Sequence, residues 1–434
     1  MDIDRKTVYD VLMDVEQNQA YSNLSLNRHI GKNQPKNQAF VRELVYGVLK
    51  YKKLLDYQLD GLVSSGSRKL KKPDLTLLRM GLYQLKFMDA VPEYAAVSET
   101  VQLAKKLARG RDRFINAVLR SFIRSGKQLR LPEREQDLTT YLCTAYSAEA
   151  WVVRLWLEAF GPERTESLLA ASNRTPELVI RVNTMKTDPE RLTQELVSAG
   201  FEVRPASRAE RALLVRGSGL LASAAYRNGE FTVQDEASIL IADATEARSG
   251  DLVLDVCAAP GGKTFAMAEK MRDRGEILAM DLYEHKLELM KKHAEAAGIT
   301  IVRTCCHDSR ECLKDYIGRA DCVLADVPCS GLGVFRRKPE IKYKEDSGLF
   351  ELVEIQRQIL TAAAACVKPG GTLVYSTCTI NPAENEQQAE RFLRAHTDFA
   401  KMEEMQFSPE MGMDGLYYCK MKRGKAEPRI PGKE

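Results

Sequence analysis

From about residue 233 of this 434-residue chain, short apolar runs suited to strands alternate with runs of helical period, and this alternation constrains the fold more than any other feature. DLVLDVCAAPGGKT leads into FAMAEKMRDRG, and EILAMDL leads into YEHKLELMKKHAEAAG. ITIVRTCCHD, ADCVLADVPCSG and GGTLVYSTCTI follow. Strands separated by helices pair in parallel through crossovers, so the pattern predicts a doubly wound α/β sheet over 233–434. Such sheets bind ligands beyond the carboxyl ends of their strands. The residues just after each apolar run are therefore the candidates for chemistry.

Asp255-Val256-Cys257-Ala258-Ala259-Pro260-Gly261-Gly262-Lys263-Thr264 follows the first of these strands and opens a helix. Small residues let the backbone approach a ligand, and a helix start offers free N–H groups. The spacing is neither GxGxxG nor that of a phosphate-binding Walker loop, which disfavours a nicotinamide-dependent oxidoreductase. A tight turn without a ligand is the plain alternative. Asp281 ends EILAMD, about 20 residues after the glycine turn, where an acid commonly accepts hydrogen bonds from ribose hydroxyls; its alternative is a helix N-cap. Asp308, ending ITIVRTCCHD, is the matching acid after the third strand, a candidate for an adenine amino group or for a turn cap.

Most cysteines are small buried hydrophobes. Cys143, Cys305, Cys306, Cys312, Cys322, Cys366 and Cys419 read that way, and Cys257 reads as a small residue of the glycine loop. Cys329, in Asp326-Val327-Pro328-Cys329-Ser330-Gly331, and Cys378, in Ser376-Thr377-Cys378-Thr379, lie instead just past two strand ends.

Residues 1–130 carry apolar residues at three- and four-residue spacing, as in Val8, Val11, Leu12 and Val15, or Val41, Leu44, Val45 and Val48, and predict a helical bundle. They hold 24 lysines and arginines against 13 acids, a net of +11, while the rest of the chain nets −7. That imbalance points the first part towards a polyanion, although a solvated basic surface would carry the same charge. Leu129–Asp137 reads as a linker. Residues 138–232 read as a small α+β unit, with Ser147 as a plausible N-cap of the helix that follows it, strands in LVIRVNT, FEVRPA and ALLVRG, and a helix closed by Gly200. The polar tail KRGKAEPRIPGKE is expected to fray.

No apolar run approaches the ~20 residues needed to cross a bilayer, and MDIDRKTVYD is no secretory signal, so a cytoplasmic protein is expected. Ten cysteines without a CxxC pair and five histidines give no basis for a structural metal site.

DVCAAPGGKT, DVPCSG and STCT together resemble the RNA cytosine-5 methyltransferase (RsmB/NOP/Sun) family, and QDEAS at 234–238 and MDGLYYCKMKR resemble its flanking motifs. VPEYAAVSETVQLAKKLARGRDRFINAVLRS resembles the helical RNA-binding domain of the antitermination factor NusB. The resemblance implies a NusB-like bundle (1–130), a small α+β RNA-binding or linking domain (138–232) and a Rossmann-like methyltransferase domain (233–434). It implies S-adenosylmethionine as cofactor, held by Cys257 to Lys263 (Cys257, Ala258, Ala259, Pro260, Gly261, Gly262, Lys263) with Asp281, Asp308 and Asp326. It also implies RNA, 16S ribosomal RNA in particular, as partner, with no membrane and no metal. In the family the cysteine of the TC motif, here Cys378, is the nucleophile, and that of the PC motif, here Cys329, assists product release. Asp326 would hydrogen-bond the base. On Asp326–Ser330 alone Cys329 would be a rival nucleophile, as in DNA cytosine methyltransferases; STCT directs the choice to Cys378. An RNA-binding factor with a degenerate methyltransferase domain is the other class of reading, which the intact motifs oppose.

Overall fold

The computed structural model describes residues 2–346 and 348–425 and forms two compact units. One contains the residues up to Arg174 together with Phe335–Asp346; the other contains Thr175–Val334 and the residues after 346. The end of the tail, beyond Lys425, lies outside the described residues. No described helix is long and apolar enough to cross a membrane.

The first unit is helical, with no strand among its described residues. Its helices are α1 (Ile3–Asn18), α2 (Ser22–Asn33), α3 (Gln38–Lys50), α4 (Lys52–Leu62), α5 (Lys72–Phe87), α6 (Glu93–Leu107), α7 (Asp112–Arg124), α8 (Leu138–Ala145) and α9 (Ala150–Ser172). The periodic residues Val8, Val11, Val41, Leu44, Val45 and Leu119 are fully buried in one core, as an apolar stripe on each helix requires. Asp2 and Asn37 cap α1 and α3, accepting the N–H groups of Arg5 and Phe40. Leu129–Asp137 carries neither helix nor strand, and Asp137 caps α8 through the Thr140 N–H at 2.9 Å.

Ser147 is not the N-cap of α9: Glu149 holds that position, and Ser147 sits in left-handed backbone at φ 54°. Its hydroxyl instead accepts the Leu54 N–H in the first turn of α4, at 3.1 Å. A helix remote in sequence uses the oxygen that the local pattern assigned to α9.

The segment Phe335–Asp346 packs among these helices. Glu340 accepts the Ser22 N–H and hydroxyl at 3.0 and 2.7 Å, Tyr343 donates to Leu49 O at 2.6 Å, and Phe335 lies against Trp156. Lys342 is 1% exposed and donates to Tyr146 O at 3.0 Å, to Lys50 O at 3.4 Å and to Asn173 Oδ1. Burial, with a smaller contribution from Lys50, pushes its amine down to about 7.

The second unit begins with β1 (Leu178–Val182), α10 (Pro189–Ser198), β2 (Glu202–Pro205), β3 (Ala212–Arg216), α11 (Ala224–Arg227) and β4 (Phe231–Val233). These strands form an antiparallel sheet in the order β2-β3-β1-β4, with α10 ending before Gly200 at φ 90°. Next come α12 (Glu236–Ala244), β5 (Leu252–Asp255), α13 (Gly262–Lys270), β6 (Glu276–Asp281), α14 (Glu284–Ala297), β7 (Val302–Cys306) and β8 (Ala320–Asp326). The unit closes with α15 (Leu349–Cys366), β9 (Val367–Thr377), α16 (Glu386–Ala395), β10 (Phe399–Gln406) and β11 (Tyr417–Arg423).

The large sheet runs β10-β11-β9-β8-β5-β6-β7. Its five central and right-hand strands are parallel, and β11 and β10 add an antiparallel edge. The chain goes from β5 outward through β6 and β7, then returns to the other side of β5 for β8 and β9. The strand order therefore reverses between β5 and β8, and the carboxyl ends of these two strands flank the crevice where a doubly wound sheet binds its ligand.

Candidate active site

The glycine loop follows β5 at this crevice. Val256 N–H bonds Leu324 O on β8 and Ala258 N–H bonds Met280 O on β6, so the loop is pinned to both neighbours of β5. Gly261 has φ 101°, and a Cβ there would meet the Phe265 ring at 2.6 Å. Only glycine fits the turn into α13. Thr264 Oγ1 donates to Asp255 Oδ2 at 2.6 Å, tying the helix start to the strand end, whereas Asp255 Oδ1 is buried with no hydrogen-bond partner. Burial is the main cause raising the Asp255 carboxyl to about 7, with the Thr264 bond acting against it.

Asp281 ends β6. Its Oδ1 accepts the Tyr283 N–H at 3.0 Å and Lys286 Nζ at 3.4 Å, but Tyr283, not Asp281, caps α14. Asp308 lies after β7 and is gripped by the Arg310 guanidinium at 3.0 Å and by the Arg310 N–H at 3.1 Å. The side-chain bond to Arg310, with burial opposing it, holds this carboxyl below its ordinary value.

Cys329 after β8 and Cys378 after β9 come together: their sulfurs are 3.1 Å apart, and the Cys378 N–H points at Cys329 Sγ at 3.2 Å. All ten cysteines are free thiols. Asp326, ending β8, holds Lys263 Nζ at 2.6 Å on one oxygen and the Ser376 hydroxyl at 2.7 Å on the other. Burial works to lower the Lys263 ammonium, but the charge and hydrogen bond of Asp326 outweigh it, with Cys378 adding, so the lysine stays cationic. The Cys329 thiol is driven well above its ordinary range, first by its hydrogen bond with Cys378 and then by burial. The Cys329 thiol therefore holds its proton.

Sequence reasoning missed the frame around this pair. Glu384 is fully buried and accepts from Ser330 N–H (2.9 Å), Ser330 Oγ (2.5 Å), Gln356 Nε2 (2.9 Å) and Asn381 Nδ2 (2.9 Å). Asn385 bonds Thr379 O at 3.0 Å and receives the Thr377 hydroxyl at 2.6 Å. Gly333 N–H bonds Cys378 O at 3.1 Å, and Gly415 N–H bonds Gly333 O at 2.8 Å; a Cβ on Gly333 would collide with the Gly415 carbonyl. The glycines of GLG and MDG were the available signal, since such close backbone approach excludes any side chain.

A doubly wound sheet with a glycine loop at its point of reversal, an acid ending the next strand and two adjoining cysteines past the ends of β8 and β9 has the layout of a Rossmann-like methyltransferase. Comparison with known proteins narrows the class. Residues 242–422 match the family model of the 16S rRNA methyltransferase RsmB/F, residues 2–124 the NusB family, and residues 149–219 the ferredoxin-like domain of RsmF/B-like methyltransferases. A probable ribosomal RNA small subunit methyltransferase B of Bacillus subtilis is 36% identical over 96% of this chain and 98% of its own. One from Synechocystis is 34% identical over 91% and 90%. The crystal structure of PH0851 superposes with a TM-score of 0.82 at 25% identity, covering 96% of this chain and 98% of that one. NSun6 from Pyrococcus horikoshii, solved with SFG, has a TM-score of 0.58 at 20% identity, covering 63% of this chain and 98% of its own, a likeness of fold. The chain belongs to the RsmB family of ribosomal RNA methyltransferases.

Proposed function

We propose that this protein transfers a methyl group from S-adenosylmethionine to carbon 5 of a cytosine in 16S ribosomal RNA, with Cys378 as covalent nucleophile. The observation that carries the reading is the 3.1 Å cysteine pair beside the Lys263–Asp326 ion pair, at the crevice between β5 and β8. The residues fit the cofactor: a loop of small residues from Cys257 to Gly262, the orphaned Asp255 Oδ1 beneath it and the acid Asp281 at the next strand end. When bound, S-adenosylmethionine supplies an electrophilic methyl group on a sulfonium. Asp308, paired with Arg310, is the candidate on the adenine side.

Carbon 5 of cytosine is a poor nucleophile. Addition of the Cys378 thiolate to carbon 6 forms the S–C6 bond and turns the ring into an enamine whose carbon 5 is nucleophilic. Lys263 supplies the cation that favours the thiolate. A proton taken up from solvent at ring nitrogen 3 offsets the charge the addition drives into the ring, and Asp326, which retains acceptor capacity beyond its two donors, accepts its hydrogen bond. With carbon 5 methylated, Cys329 gives its own proton to water and as thiolate takes the carbon 5 proton, directly or through water; the freed electron pair re-forms the C5–C6 double bond, the S–C6 bond breaks and Cys378 leaves as thiolate. The target base must be unstacked to reach such a pocket.

The test uses labelled cofactor, a small-subunit ribosomal RNA transcript and two variants. Wild-type protein should place the label on carbon 5 of cytosine. Cys378→Ala should lose essentially all turnover and form no adduct. Cys329→Ala should attack and methylate but fail to release, accumulating a protein–RNA conjugate on denaturing gels. A conjugate in Cys378→Ala instead would make Cys329 the nucleophile. RNA binding without any transfer by the wild type would point to an assembly factor.

A further inference from the structure

Two thiols that must reach the same pyrimidine ring also reach each other. Cys329 Sγ and Cys378 Sγ are 3.1 Å apart, both thiols are free and both residues are half-buried. Around Cys378 the chain is closed: Ser376, Thr377, Thr379 and Ile380 are all buried, so solvent meets this stretch at the cysteine. The strands that carry the pair are neighbours, and the last paired positions of β8 and β9 are Asp326 and Ser376. The two chains therefore enter their loops at strand spacing, about 4.8 Å. A disulfide spans Cα separations of about 4.4–6.8 Å, and the sulfurs need close by only roughly 1 Å to bond. The proximity is also held in place. Glu384 binds Ser330, next to Cys329, and Asn381, just past Cys378, through buried hydrogen bonds. Lys263 feels the charge of Cys378, and a cation that favours this thiolate for attack on a base favours it equally for attack on a peroxide.

We propose that Cys378 and Cys329 are a site of reversible oxidation, closing to a disulfide when the protein meets a hydroperoxide and so switching methyl transfer off. The loss of transfer rests on the reading of Cys378 as nucleophile; the bond rests on the geometry alone. The Cys378 thiolate attacks one peroxide oxygen, the O–O bond breaks, and the departing hydroxide takes a proton from solvent. Cys378 is then a sulfenic acid. The Cys329 sulfur attacks the Cys378 sulfur, its proton leaves with the displaced hydroxyl as water, and the S–S bond forms. Two electrons pass from the two thiols to hydrogen peroxide, which ends as two waters. A dithiol reductant returns both thiols by exchange. With its partner in contact, the sulfenic acid is consumed before a second peroxide carries it to the irreversible sulfinic acid. Cys329 thereby protects the nucleophile.

The experiment exposes reduced wild-type protein to hydrogen peroxide, blocks the remaining thiols with N-ethylmaleimide and maps the peptides by mass spectrometry. Methyl transfer to a small-subunit ribosomal RNA transcript is followed in parallel. The expected result is a bridged peptide pair containing Cys329 and Cys378, a fall in transfer of at least about tenfold, and recovery of most of it with dithiothreitol. Cys329→Ala keeps the nucleophile but lacks the partner. Its Cys378 should capture dimedone, and long exposure should abolish its conjugate with RNA beyond rescue by dithiothreitol. Cys306→Ser, which removes an exposed thiol, should respond as the wild type does. Cys312 and Cys366, with sulfurs 3.5 Å apart, serve as the internal comparison. Three results overturn the proposal: a bridge confined to that second pair, maleimide on both Cys329 and Cys378 after transfer has been lost, or Cys329→Ala recovering as fully as wild type after the same long exposure. A Cys329–Cys378 bridge in a protein that never labels RNA when fully reduced sinks the methyltransferase reading and leaves the oxidation site standing.

Discussion

The carboxylate of Glu384 joins the loop that carries Cys329 to the loop that follows Cys378 while bonding neither sulfur. Its four donors come from Ser330, Gln356 and Asn381, and the Tyr375 hydroxyl bonds its carbonyl oxygen at 2.6 Å. Glu384→Gln keeps the shape but turns one acceptor into a donor facing donors. A lost hydrogen bond to a charged group costs about 1.5–3 kcal/mol. The sulfurs should then lose their register, with turnover falling at least about tenfold while cofactor affinity stays within about twofold; single-turnover kinetics and calorimetry check the pair, and an unaltered rate would make the carboxylate a structural filler. The positions of Cys329 and Cys378 past two strand ends were legible in the sequence because each closely follows an apolar run of strand length. Glu384 was not, because a glutamate in INPAENEQQ reads as solvated, and its function depends on a serine 54 residues away.

Between elements, Arg181 joins the antiparallel sheet to the glycine loop. Arg181, in the middle of β1, is fully buried. It forms a two-pronged pair with Glu269 of α13 at 2.7 and 2.8 Å, donates to Gly262 O at 2.9 Å and also bonds Gln234 Oε1. It therefore fixes the first turn of α13, the turn that ends the glycine loop. Arg181→Met leaves Glu269 buried with only Arg211 nearby, at 3.4 Å. Breaking one side of a buried pair costs about 3–5 kcal/mol. Denaturant titration should show that loss, and the double variant with Glu269→Leu should recover part of it; no recovery would mean that the bond to Gly262, not the ion pair, carries the effect. LVIRVNT was readable as a strand from its β-branched residues, yet the direction of its arginine was not, since an inward arginine requires a partner that only the folded chain supplies. The edge strands β10 and β11 escaped for a related reason. FAKMEEMQ has a polar exposed face and no helix before its partner, so it lacks the strand–helix rhythm that revealed the parallel strands.

At the scale of the whole molecule, the chain leaves the methyltransferase unit after Val334, contributes Phe335–Asp346 to the helical unit and returns. FRRKPEIKYKED reads as a basic loop, because lysine and arginine are rarely buried; Lys342 is buried all the same. Lys342→Met would leave Tyr146 O and Asn173 Oδ1 without their donor and should destabilise the helical unit by about 2–4 kcal/mol. The amine is lowered to about 7 in the folded protein, so between that pH and the ordinary lysine range the native state binds fewer protons than the unfolded chain. Wild-type stability should accordingly rise with pH across that window, and the variant should flatten the rise. Parallel pH curves for the two proteins would show that Lys342 does not titrate there.

The same excursion sets an order of events during synthesis. Helices α1 to α9 are made first, but the pocket of Lys50, Tyr146 and Asn173 oxygens has no occupant until residue 342 has been added. At about 5–20 residues per second, the stretch after Arg174 takes on the order of 10–30 s to reach that point. The amino-terminal half must wait for the catalytic half, so a nascent chain stalled between these positions would carry an unfinished helical unit open to chaperones and proteases.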